Sequence, residues 1–461
     1  MNEQTENKMG VMPEGRLLIT MSFPIMLSML IQALYNIVDS AFVARISESA
    51  LTAVSLAFPV QLLMIAVATG TGVGVNALLS RKLGQKKQEE ADSVAANGVF
   101  LAVVCWLIFA ALGLLFGRWF ISCFTADAEI LQMGTNYVTV CTVASCGVFL
   151  LFVAERLMQA TGNTVYHMIT QLIGAVLNCI LDPLLIFGIG PFPRLGTTGA
   201  ALATVAAQII AMMIGFFINV RFNKDVHLRL RGFRPDAKIL GGVLRIGLPA
   251  AVMQSLMSAL TIGMNRILMP FSMTAVGFYG VYYKLQNFLY MPIFGMNNAL
   301  IPMIGYNYGA KRPDRIHNIV RYALLLGAGI MAFGTVLFEA IPAPLLRLFD
   351  ASPDMLAIGV PAIRVIAVSF CFSAVSLVLC GALQGLGRGM DSLIIALLRQ
   401  LVIVLPAAAL LARALGLHAV WYAFPVAELA GFVGALWMYR RVTRKIFPSA
   451  QSLQSVHTGD L

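Results

Sequence analysis

The sequence predicts an all-α integral membrane protein with twelve transmembrane helices arranged in two pseudo-symmetric six-helix bundles, and three observations carry that expectation. Only 11% of the 461 residues are charged and 59% are hydrophobic, whereas a soluble domain carries roughly a quarter of its residues as charges. The apolar residues gather into runs of about 20 or more, each long enough as a helix to cross a hydrocarbon core of roughly 30 Å. The chain also repeats itself: Pro24, Gly84 and Gln159 recur as Pro249, Gly309 and Gln384, each 225 residues on.

Taken in order, the first-half spans lie near 17–44, 53–79, 94–117, 131–154, 165–190 and 197–220. The second-half spans lie near 243–269, 274–304, 318–342, 356–382, 392–413 and 417–439. The opening run exceeds the apolar core of a secretory signal, and no small-residue cleavage pattern follows it, so it is expected to remain as a helix. Residues 1–220 and 243–440 then form the two lobes, 221–242 a basic cytoplasmic linker, and 441–461 a disordered cytoplasmic tail.

Lysine and arginine orient the spans. Arg45, Arg118, Arg194, Arg347 and Arg413 lie in one set of loops, Arg266, Lys284, Arg364 and Arg399 fall within spans, and the other 23 of the 32 lie on the opposite side. An excess of basic residues marks cytoplasmic loops, so both termini are expected in the cytoplasm. The net charge of +11 thus reads as topology and gives no soluble patch for nucleic acid. The seven cysteines, at 105, 123, 141, 146, 179, 371 and 380, have no CxxC spacing and read as packing.

The repeat extends beyond single residues. The text LGQKK around Gly84 matches YGAKR around Gly309, and near the sixth helix the offset becomes 220, pairing Gly196 with Gly416 and Gln208 with Glu428. Six helices is an even number, so the halves share one orientation and are related by an axis along the membrane normal.

Polar residues inside the spans are few, and a charge deep in a bilayer is a functional hypothesis by default. On the first helix Gln32, Asn36 and Asp39 share a face with Tyr35; on the fifth, Gln171, Asn178 and Asp182 do so; on the sixth, Thr204 and Gln208 are one turn apart. Pro183 follows Asp182 and frees the carbonyl of Cys179 from its helical partner. The repeat supplies an internal control. At an offset of 225, Asp39, Asn178 and Asp182 correspond to Met264, Ile403 and Ala407, so the fold alone does not require those polar groups. Two acids in one low-dielectric pocket suit capture of H⁺, and the same oxygens suit Na⁺.

The second half offers a polar face without acids: Gln254, Ser258, Thr261 and Asn265 on the seventh helix, Tyr283, Lys284 and Asn287 on the eighth. Lys284 has three readings: snorkelling, neutralising an acid such as Glu428, or ion exchange, with structural pairing favoured. Glu155, Arg156 and Glu339 sit near predicted helix ends and read as solvated or paired. Gly70, Gly72 and Gly74 imitate part of a nucleotide fingerprint but lie in an apolar helix without a preceding strand, so they read as packing. The sequence has no phosphate-binding loop motif, zinc-protease motif or plausible Ser/His/Asp order, and an enzyme is not expected.

Residues 24–39 (PIMLSMLIQALYNIVD), 178–183 (NCILDP), 199–204 (GAALAT) and the paired turns at Gly84 and Gly309 together resemble the multidrug and toxic compound extrusion family, in its bacterial branch with first-lobe coupling. The resemblance covers nearly the whole chain. It implies two lobes around a central cleft, rocking to export organic cations across the cytoplasmic (inner) membrane against H⁺ or Na⁺ entry, with no other cofactor. By that likeness the coupling cation sits at Asp39, Asn178, Asp182 and Thr204, flanked by Tyr35 and Asn36. Drug recognition in the second lobe falls to Tyr279, Tyr283 and the methionine faces near Met257 and Met291, because this sequence has no acid on its seventh or tenth helix. The expected partners are small organic cations and membrane lipid, with the chain a monomer. The rival reading is a flippase for a lipid-linked oligosaccharide or other anionic lipid, whose cargo would be met by Lys284, Arg364 and Arg399.

Overall fold

Each apolar run folds as a helix, because in lipid a backbone N–H or C=O finds no water and must be satisfied within its own segment. The computed structural model describes residues 7–228 and 233–447. The first half contains α1 (Lys8–Val11), α2 (Glu14–Ala44), α3 (Glu48–Gly84), α4 (Gln88–Ser122), α5 (Ala128–Val143), α6 (Cys146–Ala160), α7 (Thr164–Phe187) and α8 (Gly196–Phe222). The second contains α9 (Ala237–Leu268), α10 (Met273–Gly309), α11 (Pro313–Ala340), α12 (Pro342–Arg347), α13 (Pro353–Ala367), α14 (Phe370–Gly385), α15 (Gly389–Leu397), a π-helical turn (Leu398–Ile403), α16 (Val404–Leu415), α17 (Leu417–Val420) and α18 (Ala423–Ile446). Among the described residues ten helical stretches are long and apolar enough to cross a membrane, and two bent pairs, α5 with α6 and α13 with α14, raise the total to twelve.

The repeat is written into local backbone as well as sequence. Ser47 Oγ accepts from the N–H of Ala50 at the start of α3, and Ser272 Oγ from that of Thr274 at the start of α10, both at 3.0 Å; the two serines are 225 residues apart. Lys86 and Lys311 hold left-handed φ of 58° and 55°. The N–H of the following residue returns to the helix, Lys87 to the Lys82 carbonyl at 3.1 Å and Arg312 to that of Asn307 at 2.9 Å, which satisfies carbonyls that the helix end leaves open. Gly162 and Gly387, also 225 apart, hold φ of 85° and 78°, a conformation that costs glycine little.

The fourth and tenth spans, expected as single helices, are bent by 41° and 52°. Neither break contains proline. Instead Ser145 Oγ donates to the Thr142 carbonyl at 2.7 Å, and Ser369 Oγ to the Ile366 carbonyl at 2.6 Å. A hydroxyl that takes a carbonyl three residues back competes with the helical ladder and turns the axis.

The halves close on each other at the end that carries the basic loops. A Cβ on Gly70 would lie 2.5 Å from the Gly247 oxygen, and one on Gly295 would lie 2.7 Å from Met26 Cα; Gly74 abuts Val243, Gly84 abuts Tyr306 and Gly309 abuts Arg81. Glycine permits this backbone-to-backbone approach, as small residues do between membrane helices. Leu17, Leu18, Met21 and Ile25 of α2 are buried in the core of the second half. The short α1 segment bridges the halves: Asn7 Nδ2 donates to Asp225 Oδ2 at 2.9 Å and to the Thr161 carbonyl at 3.0 Å, while the Met9 carbonyl accepts from Asn307 at 3.1 Å and Arg315 at 3.3 Å.

Two expected boundaries shift. The linker is shorter than 221–242, because Asp236 Oδ1 caps α9 by accepting from the N–H of Lys238 at 2.7 Å, and the helix begins at Ala237. At the other end α18 continues to Ile446, which makes the first residues of the expected tail helical. Arg229, Arg231 and residues 448–461 lie outside the described residues.

Candidate cation site and transport cavity

Helices α2, α7 and α8 carry the first-half polar residues, and their approach is set by Gly199. A Cβ there would lie 2.6 Å from the Leu185 carbonyl carbon and 3.0 Å from the Ile186 nitrogen, so only glycine lets α8 lie directly on the α7 backbone. One turn and more along, that approach brings Thr204 to Asn178. With the Asn178 amide turned so that its nitrogen faces Asp182 Oδ2 at 3.1 Å, its oxygen accepts from the Thr204 hydroxyl at 3.2 Å and from the Thr204 N–H at 3.3 Å. Asp182 is fully buried and Asn178 is 3% exposed.

From α2, the Asp39 carboxyl reaches the Asp182 carboxyl at hydrogen-bonding contact. Each acid keeps a buried Oδ1 without a protein partner among the described residues. Tyr35 stands beside both acids. The side chain of Asn36 lies outside the described residues. Among the described residues no group of three His, Cys, Asp or Glu forms a metal cluster. The oxygens gathered here are carboxylate, amide and hydroxyl, hard donors of the kind that suit alkali and alkaline-earth cations rather than thiophilic metals.

Beside this cluster lies a cavity of about 70 Å³ lined by Gln32, Tyr35, Glu155, Gln171, Asn178, Thr204 and Gln208 along with small and apolar side chains. Six of these seven residues are among those expected from the polar stripes. Glu155 is not. It was expected near a helix end in a solvated or paired role; it is 4% exposed, with Oε2 3.7 Å from His167 Nδ1, so the paired role holds and the solvated one does not. Its neighbour Arg156, 3% exposed, donates to Gln159 Oε1 at 2.7 Å and crosses to Asn298 Oδ1 of the second half at 2.9 Å. Helix α6 runs on to Ala160, past the expected end of the fourth span, and both residues lie buried on it. Their adjacency to the fourth span's end hid that in the sequence.

The second-half candidates do not join this cavity. Tyr279 is 1% exposed, its ring packs against Tyr282 and Phe424, and its hydroxyl meets Thr261; it is a core residue, not the open face expected of it. Thr261 Oγ1 also donates to the Met257 carbonyl at 3.0 Å, and Met257 Sδ accepts from Gln400 at 3.4 Å. Gln254 and Ser258 are exposed, while Tyr283, Asn287 and Met291 are partly so. Lys284 does not neutralise Glu428: it is exposed, with Nζ 6.0 Å from the Phe349 ring centroid. Glu428 instead pairs with Arg399 at 3.2 Å, and Arg364 lies 3.9 Å from Glu339.

That pair explains the asymmetry of the halves. Gly174 and Gln208 line the first-half cavity, and their repeat mates, at offsets of 225 and 220, are Arg399 and Glu428. Where the first half keeps a cavity, the second places a buried ion pair, with Arg399 on the π-helical turn.

Comparison with known proteins decides the family. The MatE family model matches twice, over residues 24–184 and 249–410, two matches whose starts differ by the 225 residues of the internal repeat and which together cover most of the chain. The chain belongs to the MatE family. Relatives of this MatE chain include a protein of Shewanella oneidensis named "FAD transporter", 27% identical over 438 residues and covering 94% of this chain and 96% of its own. Another is the "Multidrug export protein MepA" of Staphylococcus aureus, 26% identical over 418 residues, covering 90% of this chain and 91% of its own. Among solved structures, an outward-facing multidrug resistance MATE transporter superposes with a TM-score of 0.89 at 25% identity, covering 95% of this chain and 98% of that one. A Pyrococcus furiosus transporter, described as having a binding pocket of reverse polarity, superposes at 0.87 and 25%, covering 96% and 98%. The protein is therefore a multi-pass membrane transporter of the MATE type, and the family is one of transporters, not enzymes.

Proposed function

We propose that this MatE chain is a secondary antiporter that exports organic cations across the cytoplasmic membrane in exchange for H⁺ or Na⁺, with the coupling ion held by Asp39, Asp182, Asn178 and Thr204. One observation carries the reading: two carboxyl groups in contact inside a membrane-embedded bundle, each with an oxygen that has no protein partner among the described residues. Two carboxylates at that distance repel unless a proton or a cation stands between them. An ion that enters therefore stabilises the cluster, and its departure loosens α2 from α7. The cavity of about 70 Å³ next to the cluster shares Asn178 and Thr204 with it, so that change alters the cavity's walls.

The closed basic end supports alternating access. The glycine approaches join the halves there, and the positive-inside rule assigns that end to the cytoplasm, so this form faces outward. The flippase reading finds less support, since two of its three cationic residues are matched with acids, Arg364 with Glu339 and Arg399 with Glu428. The Shewanella relative's name makes a flavin nucleotide the second cargo to test.

The test is efflux of a cationic dye, and separately of FAD, from vesicles under imposed H⁺ or Na⁺ gradients, with Asp39→Asn and Asp182→Asn alongside the native chain. Dye efflux driven by one gradient and lost in both variants supports the proposal, and the effective gradient names the ion. Native-level, gradient-dependent efflux in both variants overturns it.

A further inference from the structure

At the basic end, in the seam between the halves, a pocket of about 280 Å³ is lined by Arg81, Arg245, Tyr308 and Arg388, with Leu386 and Ile446 as its apolar wall. Arg81 comes from the last turn of α3 in the first half; the other polar residues come from the second. The Arg81 guanidinium lies 4.5 Å from the centroid of the Tyr308 ring, a cation–π contact that fixes its direction. The turn at Gly387, with φ of 78°, lies against α9 at Ile246. A Cβ on Gly389 would lie 2.9 Å from the Ile246 oxygen and 3.3 Å from that of Arg245, so the turn rests on the α9 backbone and Arg388 is held beside Arg245.

Three arginines converge here, and among the described residues none of them forms an ion pair with a carboxylate. Arg81 is half-buried in the seam, while Arg245 and Arg388 are exposed at its mouth, where a ligand can reach them. Guanidinium forks match the tetrahedral oxygens of phosphate better than any point charge does. The pocket also lies where the apolar spans end, and basic pockets between helices at that level receive the headgroups of anionic lipids.

We propose that this seam pocket is a binding site for a phosphate group, taken from the headgroup of an anionic lipid or from a phosphate-bearing solute. Leu386 and Ile446 give a headgroup an apolar shoulder beside the charged floor. Because Arg81 belongs to one half and Arg245 and Arg388 to the other, the complete site exists only while the basic end is closed. An occupant bridges the seam and favours the closed form by its differential affinity. The site does not depend on the identity of the cargo or the coupling ion.

The experiment uses the purified full chain in detergent. Binding is measured by native mass spectrometry and by thermal stabilisation with phosphatidylglycerol or cardiolipin, with phosphatidylcholine, and separately with inorganic phosphate or pyrophosphate. Arg245→Gln and Arg388→Gln test the pocket, and Arg234→Gln with Lys238→Gln serves as a control for basic charge at the same end outside it. Anionic-lipid binding that weakens roughly fivefold per pocket arginine lost, with the control unchanged, supports a lipid site. The same loss for the phosphate salts alone supports a solute site. No binding by either class, or an equal loss in the control, overturns the proposal.

Discussion

Replacing Gly199 with alanine tests the link between helix packing and the coupling site without touching a polar group. The added Cβ would press on the Leu185 carbonyl oxygen and lie 2.6 Å from its carbon, where ordinary contact begins at 3.4 Å, so α7 and α8 must part by at least about 0.8 Å. The obstacle is backbone and cannot rotate away. The contact between Asn178 and Thr204, now 3.2 Å, then lengthens to about 4 Å, beyond hydrogen-bonding range. Overpacking of this kind costs about 1–3 kcal/mol. Loss of one neutral hydrogen bond at the site adds about 1 kcal/mol, so ion affinity falls roughly fivefold to tenfold. The assay is dye efflux against H⁺ or Na⁺ concentration, with Gly434→Ala, where nothing lies within 4 Å of the added atom, as the control. A Gly199→Ala protein that keeps the native ion dependence would refute the chain of reasoning from glycine to helix spacing to cation site.

Three further outcomes follow from the geometry. Thr204→Val should weaken ion dependence while leaving folding intact, because it removes a hydroxyl from Asn178 but keeps the shape; an unchanged ion titration would exclude Thr204 from the site. Arg399→Met should destabilise by about 3–5 kcal/mol by stranding Glu428, whereas Arg399→Met with Glu428→Leu should recover most of that loss; thermal unfolding in detergent separates the two, and equal stability would mean the pair is not coupled. Asp225, in the connection between halves, has its carboxyl held above the usual carboxylate range by burial, with Asn7 and Lys8 pulling the other way. A raised folded-state pKa gives stability that is present below the unfolded value and is lost as pH rises, so the native chain should gain stability relative to Asp225→Asn as pH falls toward the carboxylate range. A difference between the two that does not change with pH would show that the burial has no such effect.

Much of the site was legible because it follows helical spacing. Gln32, Tyr35 and Asp39, or Gln171, Asn178 and Asp182, share a face by the arithmetic of 3.6 residues per turn, and the repeat marked them as dispensable to the fold. The residues that escaped notice were those placed by a neighbour or by irregular backbone. Glu155 and Arg156 look like the end of a fourth span, but α6 runs on to Ala160 and Arg156 reaches Asn298 of the second half. Tyr279 looked like a cavity residue because sequence gives its face relative to its own helix but not the neighbour that covers it, here Phe424 of α18. The partner of Glu428 was misread for the same reason, since Arg399 reaches it from a π-helical turn that shifts the helical register.

By itself the sequence determined the membrane spans, the repeat and the stripe of polar groups on each, because apolar run length and periodicity act within one segment and need no neighbour. Only the tertiary structure decided which stripes meet. The contact of Asp39 with Asp182, the cavity beside it, the ion pair that fills the equivalent space in the second half and the arginine pocket in the seam all join residues more than a hundred positions apart or on different helices. Their distances are set by where glycines let backbones touch, and that is a property of packing that no single helix contains.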